Sequence, residues 1–305
     1  MAAKKKNIIS KASPHTIKKF ELIEEYIKSW AQKLLLTESC NGLIFIDCMC
    51  NSGVYTDDAG QLVKGTAVRV SEALREASRS YTEKNIHIYL NDKDKARVDE
   101  LKKHLPQDER NFKIVTSCGD AHELLRTIGP QLYGTGHLHY FLLYDPYDAT
   151  IDWEALLPFF RNWGEVMINH MVSDPVRAIT SAKKKTTKAK YENTYLEDFE
   201  KLVPYGSDKK AYEVRVEEII NLLKGARRYY VSAFPFYNTQ NSLVYNLIHC
   251  TSNKEGFKLY KKSAWKVFGA QSSTKHSVEN RQLSFNLFGA VSYTHLRAHE
   301  TLRHL

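Results

Sequence analysis

The stretch that decides the fold is an apolar run that ends in a carboxylate and a tight turn. Residues 45–55 read Phe-Ile-Asp-Cys-Met-Cys-Asn-Ser-Gly-Val-Tyr. The run before Asp47 has the character of a buried strand, and Gly53 permits a turn whose backbone can approach a ligand. Asn51 tolerates a positive φ better than most residues that carry a side chain. The pattern therefore predicts a strand followed by a ligand-binding loop, with a purely structural turn as the alternative.

Further apolar runs of strand length follow, with helical segments between them. The predicted strands cover residues 43–47, 86–91, 112–116, 138–145, 165–170, 228–234 and 243–251. A helix is predicted before them, with Ser13 as its N-cap and Pro14 in its first turn. This alternation predicts an α/β fold with a mainly parallel seven-stranded sheet. The last two runs are too close for a crossover helix, so we expect an antiparallel strand at one edge.

A long insertion of about residues 173–224 separates the fifth and sixth strands, and we expect it to be helical over 191–202 and 212–223. It contains five lysines within eight positions: Lys183, Lys184, Lys185, Lys188 and Lys190. The chain has 44 Lys and Arg against 35 Asp and Glu, a net charge of +9. The lysine cluster is therefore a candidate nucleic-acid-binding site through phosphate contacts, and a solvated surface is the alternative.

Composition excludes several classes of protein. The hydrophobic share of 43% excludes a disordered chain, and no apolar run approaches the roughly 18 residues that a membrane span needs. No apolar segment follows the three N-terminal lysines, so we expect no secretory signal. Five scattered cysteines predict a reducing cytoplasm rather than a disulfide framework. Cys48 and Cys50 lack a second pair at a zinc-site spacing, so we predict no metal.

Carboxylates also follow the next predicted strands, in chain order. Asp92 ends the second strand, Asp120 follows the third, and Asp145-Pro146-Tyr147 ends the fourth. A carboxylate at the end of the second strand can accept hydrogen bonds from both ribose hydroxyls of an adenosine group. Their recurrence at successive strand ends favours a shared ligand site, although each alone is explained by a loop carboxylate or a turn proline.

The loop after the first strand resembles the D-x-F-x-G-x-G signature of class I S-adenosylmethionine (SAM)-dependent methyltransferases. Aligned on Asp47, Met49 takes the aromatic position and Asn51 replaces the first glycine. The resemblance implies a Rossmann-like methyltransferase fold with SAM as cofactor. It further implies that Asp47, Asn51 and Gly53 shape the methionine side of the cofactor pocket, with Asp92 at the ribose and Asp120 at the adenine.

Asp145-Pro146-Tyr147 resembles a shortened D/N-P-P-Y/F motif of amino-group methyltransferases that act on nucleic-acid bases. The resemblance implies a catalytic site in which Asp145 and a backbone carbonyl of the motif accept hydrogen bonds from the target amine. Tyr147 would stack on a flipped base. One proline of the motif is absent here, and a structural turn explains the triplet as well.

The chain as a whole resembles the three-Cys-motif partner family over roughly residues 13–288. These are bacterial and phage-associated proteins named for a neighbouring gene whose product carries three cysteines. The similarity rests on residues 13–16, 18–19, 26, 45–55, 65–66, 145–147, 151–153, 168–171, 177, 243–248 and 256–268. It implies a methyltransferase-like domain over 1–270, a winged-helix-like domain that begins at 271–290, and the three-Cys protein as a partner.

Two functions stay open at this point, because the family name records a genomic neighbour rather than an activity. One is a SAM-dependent methyltransferase acting on nucleic acid, at an amino group of a base. The other is a non-catalytic nucleic-acid- or protein-binding partner built on the same scaffold. Residues 291–301 resemble a translated sequencing adapter, so we expect 291–305 to be foreign to the protein and the C-terminal domain to be cut short.

Overall fold

The computed structural model describes residues 7–132, 137–160, 164–172, 185–198, 200, 230–238, 240 and 242–269. The chain divides into two compact units, Met1–Phe141 and Leu142–Leu305. No helix within the described ranges combines the length and the hydropathy that crossing a bilayer requires.

The first unit alternates strands and helices. In chain order they are β1 (Ser10–Lys11), α1 (Pro14–Leu35), β2 (Gly42–Asp47), β3 (Val54–Thr56), β4 (Leu62–Lys64), α2 (Thr66–Ser80), β5 (Asn85–Asp92), α3 (Lys95–Lys102), β6 (Phe112–Cys118), α4 (Ala121–Gln131) and β7 (Leu138–Tyr144), the last of which runs into the second unit.

The second unit has further helices and strands within its described residues. They are the short helix α5 (Trp153–Leu156) with a 3-10 turn (Leu157–Phe159), β8 (Gly164–Met171), α6 (Lys185–Tyr195), β9 (Tyr230–Tyr237), β10 (Leu243–Thr251) and α7 (Lys254–Phe268).

Seven strands form the main sheet, in the order β6-β5-β2-β7-β8-β10-β9. β2 pairs in parallel with β5, and β5 with β6, whereas β10 is antiparallel to both β8 and β9. The predicted α/β, mainly parallel, Rossmann-like methyltransferase fold is therefore confirmed. The antiparallel strand, β10, is second from the edge, and β9 is outermost. The connection from β9 to β10 is short, so the chain returns as a hairpin and β10 lies between β9 and β8.

A second sheet of three short strands was not predicted. β3 and β4 form an antiparallel hairpin, and β1 pairs in parallel with β3. The carboxylate of Asp57 orders the hairpin turn by accepting hydrogen bonds from the backbone N–H groups of Ala59 and Gln61. The hairpin lies between the loop after β2 and helix α2.

Helix α1 begins as the sequence predicts. The Ser13 hydroxyl accepts a hydrogen bond from the backbone N–H of Thr16 at 3.4 Å, and Pro14 occupies the first turn. Tyr26 and Trp30 are buried on one face of the helix, and each ring contacts that of Phe141 at a centroid distance of 5.8 Å. Burial of such side chains stabilises the fold by about 1.5–3 kcal/mol each.

Helix α7 covers the β9–β10 hairpin in the second unit. The Phe268 ring lies 4.5 Å from that of Phe234, and the Tyr260 hydroxyl donates to the Leu247 carbonyl at 3.1 Å. A buried polar cluster joins β8 and β10, where the Glu165 carboxylate bonds His249 at 2.8 Å and Thr251 at 3.1 Å. These bonds give the buried Glu165 carboxylate two partners, which lowers the cost of its burial.

The insertion begins its helix earlier than predicted. Helix α6 starts at Lys185, six residues before the expected start at 191, and ends at Tyr195. The predicted helix over 212–223, the two lysines Lys183 and Lys184, and residues 271–305 lie outside the described residues.

Candidate functional site

Three carboxylates lie at the carboxyl ends of three neighbouring strands in the first unit. Asp47 is the last residue of β2, Asp92 is the last of β5, and Asp120 comes two residues after β6. The pairing places Asp92 opposite Cys118 and Asp47 opposite Leu90. Ligands of open parallel sheets bind at this edge, so the structure brings the three predicted residues to the place where a nucleotide-like group would lie.

Asn91 ties the three strand ends together. Its side-chain amide donates to the carbonyl oxygens of Cys48 at 3.1 Å and Gly119 at 3.0 Å, and its Oδ1 accepts from the Ser117 hydroxyl at 2.9 Å. The side chain is buried, so these bonds satisfy a group that would otherwise be costly to desolvate. The sequence pattern did not single out Asn91, although an amide beside Asp92 after the apolar residues of β5 was the available signal.

Asp92 holds the loop that follows β2. Its Oδ2 accepts a hydrogen bond from the backbone N–H of Asn51 at 3.1 Å, and its Oδ1 accepts one from Asp94 at 2.8 Å. Asn51 has a φ of 58°, the left-handed conformation that the sequence favours for it. Asp92 is only 7% exposed. A carboxylate offers about four acceptor sites, so these two bonds leave capacity for further donors.

Asp47 is buried, and its Oδ1 accepts a hydrogen bond from the backbone N–H of Met49 at 3.0 Å. Burial, followed by the negative charge of Asp47, raises the pKa of the Cys48 and Cys50 thiols. Both thiols therefore stay protonated at neutral pH, and neither has the thiolate character that nucleophilic attack requires.

Gly53 has a φ of 70°, and the space beside its Cα is occupied by the protein itself. An added Cβ would lie 2.3 Å from Leu101 Cδ1 and 2.9 Å from Val68 Cγ2. The backbone carbonyl of Gly53 accepts a hydrogen bond from Gly65 at 2.7 Å. Gly53 thus allows α2 and α3 to pack close to the loop, a reason for glycine that holds without any ligand.

Asp120 is exposed and caps helix α4. Its Oδ1 accepts hydrogen bonds from the backbone N–H groups of His122 at 2.9 Å and Glu123 at 3.0 Å. The bond from Glu123 is the largest influence on the pKa of the Asp120 carboxyl, which is lowered although partial burial acts in the other direction. The carboxylate is therefore ionised at neutral pH, and the cap accounts for an aspartate here.

The Asp145-Pro146-Tyr147 triplet belongs to the second unit. The side-chain NH2 group of Asn169 donates to Asp145 Oδ1 at 2.6 Å. The Oδ1 of Asn169 is therefore the acceptor that remains on the Asn169 side chain. The Asn169 Oδ1 is buried and has no hydrogen-bond partner among the residues that the structure describes. Pro146 is buried, whereas the Tyr147 ring is 90% exposed. An orphaned acceptor of Asn169 therefore lies beside the Asp145 carboxylate, which comes two residues before an exposed aromatic ring.

Helix α6 is fastened to the segment that follows this triplet. Lys190 donates to Asp148 at 2.6 Å. The Thr194 hydroxyl accepts a hydrogen bond from the backbone N–H of Ile151, and the Thr194 carbonyl accepts one from the indole N–H of Trp153. Burial disfavours the ionised form of Asp148, but the bonds from Lys190 and Thr150 outweigh it and lower the pKa of that carboxyl. The C-terminal lysines of the basic cluster thus lie on an element anchored beside Tyr147.

The lysines of the cluster have different surroundings. Lys188 forms an ion pair with Glu200 at 3.0 Å, and Lys190 pairs with Asp148, whereas Lys185 is exposed at the start of α6. Exposed ion pairs of this kind contribute about 0–1 kcal/mol, so a competing phosphate could replace them at low cost.

No family model matches the chain, and no curated protein matches it. The resemblance to the three-Cys-motif partner family therefore stays a prediction. Among solved structures, the chain is similar to a Legionella pneumophila protein, with 9% identity, a TM-score of 0.47, and coverage of 81% of this chain and 92% of that one.

Two solved methyltransferases in complex with S-adenosylhomocysteine (SAH) also resemble the chain. Human methyltransferase-like protein 13 has 8% identity, a TM-score of 0.40, and coverage of 81% of this chain and 91% of that one. The O-methyltransferase from Bacillus cereus has 10% identity, a TM-score of 0.39, and coverage of 75% and 80%. TM-scores below 0.5 carry no inference about activity, so the assignment of the fold depends on the order and direction of the strands.

Proposed function

We propose that this protein is a SAM-dependent methyltransferase whose acceptor is an amino group of a nucleic-acid base. The observation that carries the proposal is the group of strand ends in the first unit, where two buried carboxylates, Asp47 and Asp92, end neighbouring parallel strands and Asn91 joins the loops. Open α/β sheets bind nucleotide-like ligands at such an edge.

The residues present fit the adenosyl cofactor. Asp92 has acceptor capacity for the ribose hydroxyls beyond the two backbone bonds that it makes. Asp47, Asn51 and Gly53 would shape the methionine side, and Asp120 would lie near the adenine. SAM supplies an electrophilic methyl group, and the chain's own contribution is to align the acceptor and exclude water.

The acceptor side of the proposal rests on the Asp145 triplet. The Asp145 carboxylate and the orphaned Oδ1 of Asn169 are two acceptors for the two N–H bonds of an exocyclic amine. A ligand donor would also relieve the cost of about 1–3 kcal/mol that an unpaired buried polar atom carries. Tyr147 offers an exposed ring for stacking on a flipped base, and the Pro146 carbonyl would be a further acceptor.

Phosphates of the substrate are the proposed partners of Lys183, Lys184, Lys185, Lys188 and Lys190. The three lysines within the described ranges lie on α6, which is fastened to the segment after Tyr147. We also propose the cytoplasm as the compartment, because all five cysteines are free thiols.

A second candidate is a non-catalytic binding protein on the same scaffold, with nucleic acid or the three-Cys protein as its partner. Two observations favour it. The Asp120 carboxylate already serves as a helix cap, and the space beside Gly53 is filled by Leu101 and Val68 rather than open to a ligand.

Calorimetric titration with SAM and SAH separates the two candidates. We expect saturable binding that Asp92→Ala abolishes while circular dichroism shows an intact fold. Asp94→Ala is the matched control, because Asp94 lies two residues away and caps α3. Binding that survives in Asp92→Ala would refute the assigned site, and a folded wild-type protein that binds neither compound would favour the scaffold.

Transfer of a labelled methyl group from SAM to DNA or RNA then tests the acceptor side. Asn169→Ala should bind SAM with unchanged affinity but transfer the methyl group at least about tenfold more slowly, because the amine loses one acceptor and Asp145 loses its donor. Equal rates in Asn169→Ala and the wild type would exclude this arrangement.

A further inference from the structure

Helix α7 carries more positive charge than any other helix within the described ranges. It contains five lysines and one glutamate, a net charge of +4, whereas the other described helices range from −1 to +2. Clustering of this kind is more informative than the net charge of the whole chain, because phosphate recognition depends on local charge density.

Four of these lysines form one line along the helix. Lys254, Lys258, Lys262 and Lys266 recur every four residues, and all four are exposed. Residues four apart lie on the same side of a helix, so this lysine stripe is about 18 Å long. The fifth, Lys261, is half-buried, with its Nζ 5.7 Å from the centre of the Phe257 ring.

Trp265 is exposed on the same side as the lysine stripe. It comes three residues after Lys262, and 51% of its surface is accessible. The indole is a flat aromatic surface with one polar N–H, a side chain suited to stacking on a base. The surface therefore combines a row of cations with a flat aromatic ring.

The opposite side of α7 is occupied by the protein's own core. Phe257, Tyr260 and Phe268 are buried, and their rings contact residues of β9 and β10. A basic helix binds a membrane stably when its apolar face enters the lipid, and that face is not available here. A soluble polyanion fits the exposed side better, and an aromatic ring among lysines is the pattern that binds unpaired bases next to phosphates.

We propose that the lysine stripe and Trp265 form a binding surface for single-stranded nucleic acid. The surface uses none of the residues assigned to SAM or the acceptor, and it needs neither SAM nor methyl transfer. Its test therefore contains no SAM, and its failure would leave the proposed activity untouched.

The experiment measures the fluorescence anisotropy of a labelled 12-nucleotide single strand titrated with the full chain at several salt concentrations. The variant Lys254→Gln, Lys258→Gln, Lys262→Gln, Lys266→Gln removes the stripe. The matched control removes four exposed lysines of the first unit, through Lys28→Gln, Lys33→Gln, Lys95→Gln and Lys102→Gln. Both variants have the same net charge, and circular dichroism checks their folding.

We expect the stripe variant to bind about a hundredfold more weakly near physiological salt, and the slope of log K against log salt to become shallower by about 3. The control variant should stay within about threefold of the wild type. Trp265→Ala should weaken binding about tenfold and Trp265→Phe less, because the phenyl ring still stacks. The intrinsic tryptophan fluorescence of the wild-type protein should be quenched when the oligonucleotide binds, and this quenching should be absent in Trp265→Phe.

Equal losses in the stripe and control variants would overturn the proposal, since only total charge would then matter. Binding of a 12-base-pair duplex as tight as that of the single strand, with no effect of Trp265→Ala, would overturn the single-strand assignment. Stripe-dependent binding to vesicles containing phosphatidylserine, without binding to the oligonucleotide, would identify the surface as a lipid contact instead.

Discussion

Replacement of Gly53 by alanine tests the packing role assigned to the loop after β2. The residue has a φ of 70°, and a left-handed backbone costs a residue with a Cβ about 1–2 kcal/mol. The new methyl group would also lie 2.3 Å from Leu101 and 2.9 Å from Val68, and overfilling a packed core costs about 1–3 kcal/mol. We expect Gly53→Ala to lower the free energy of unfolding by about 2–5 kcal/mol in total.

Gly60→Ala separates the two costs. Gly60 has a φ of 78°, but no atom lies within 4 Å of an added Cβ, so only the backbone cost applies. Urea unfolding followed by circular dichroism should therefore show a loss of about 1–2 kcal/mol for Gly60→Ala. The difference between the two variants measures the overfilling.

Leu101→Ala provides the second check, because Leu101 is fully buried and its Cδ1 is the nearest atom to the new methyl group. Leu101→Ala alone should cost about 2–5 kcal/mol. In the double variant the methyl group has room, so the combined loss should fall short of the sum by about 1–3 kcal/mol. Strict additivity, or equal losses in Gly53→Ala and Gly60→Ala, would refute the packing argument.

Three further predictions concern other parts of the structure. Asp120→Ala should destabilise the protein by about 1 kcal/mol at pH 7 and Asp120→Ser by less, because serine can still cap α4. The hydrogen bond from the backbone N–H of Glu123 is the main cause that lowers the pKa of the Asp120 carboxyl. The stability that the Asp120 cap contributes is therefore complete above the ordinary pKa of 3.8 and is lost as the pH falls through the lowered pKa. Unfolding at a series of pH values would reveal this loss. A thiol reagent at pH 8 should modify Cys118 first, because Cys118 is exposed. Burial raises the pKa of the other four thiols, those of Cys40, Cys48, Cys50 and Cys250. A fast phase of thiol modification that persists in Cys118→Ser would contradict this. Glu165→Ala should lower the free energy of unfolding in urea by about 3 kcal/mol, because His249 and Thr251 lose a buried partner. Glu76→Ala on the surface should change it by less than about 0.5 kcal/mol. Similar losses in the two variants would argue against the buried cluster.

The main sheet was predictable because its central strands are buried. Central strands such as β2 and β7 read as continuous apolar runs, and the predicted bounds of 243–251 agree with β10. The carboxylates at the strand ends could be placed together for the same reason, since the carboxyl ends of neighbouring parallel strands share one edge. Chain order alone was enough to bring Asp47, Asp92 and Asp120 to that edge.

The parts that escaped prediction depend on contacts that are distant in sequence. β3 and β4 have three residues each, too few to show an alternating pattern, and the pairing of β3 with β1 joins segments more than forty residues apart. Asn91 and Asn169 act through hydrogen bonds to atoms of other strands and loops, which no spacing rule reveals. The same holds for Thr194, whose bonds fasten α6 to the segment after β7.

The pairing of β1 with β3 has a practical consequence for anyone who expresses this protein. β3 starts one residue after Gly53, and its outer edge is covered by Ser10 and Lys11, while the backbone N–H of Ala12 bonds the Thr56 carbonyl. A shortened chain that begins at helix α1 would uncover that edge and leave a strand template open to other molecules. An affinity tag should therefore be separated from Ser10 by a flexible linker, and trimming should stop before this residue.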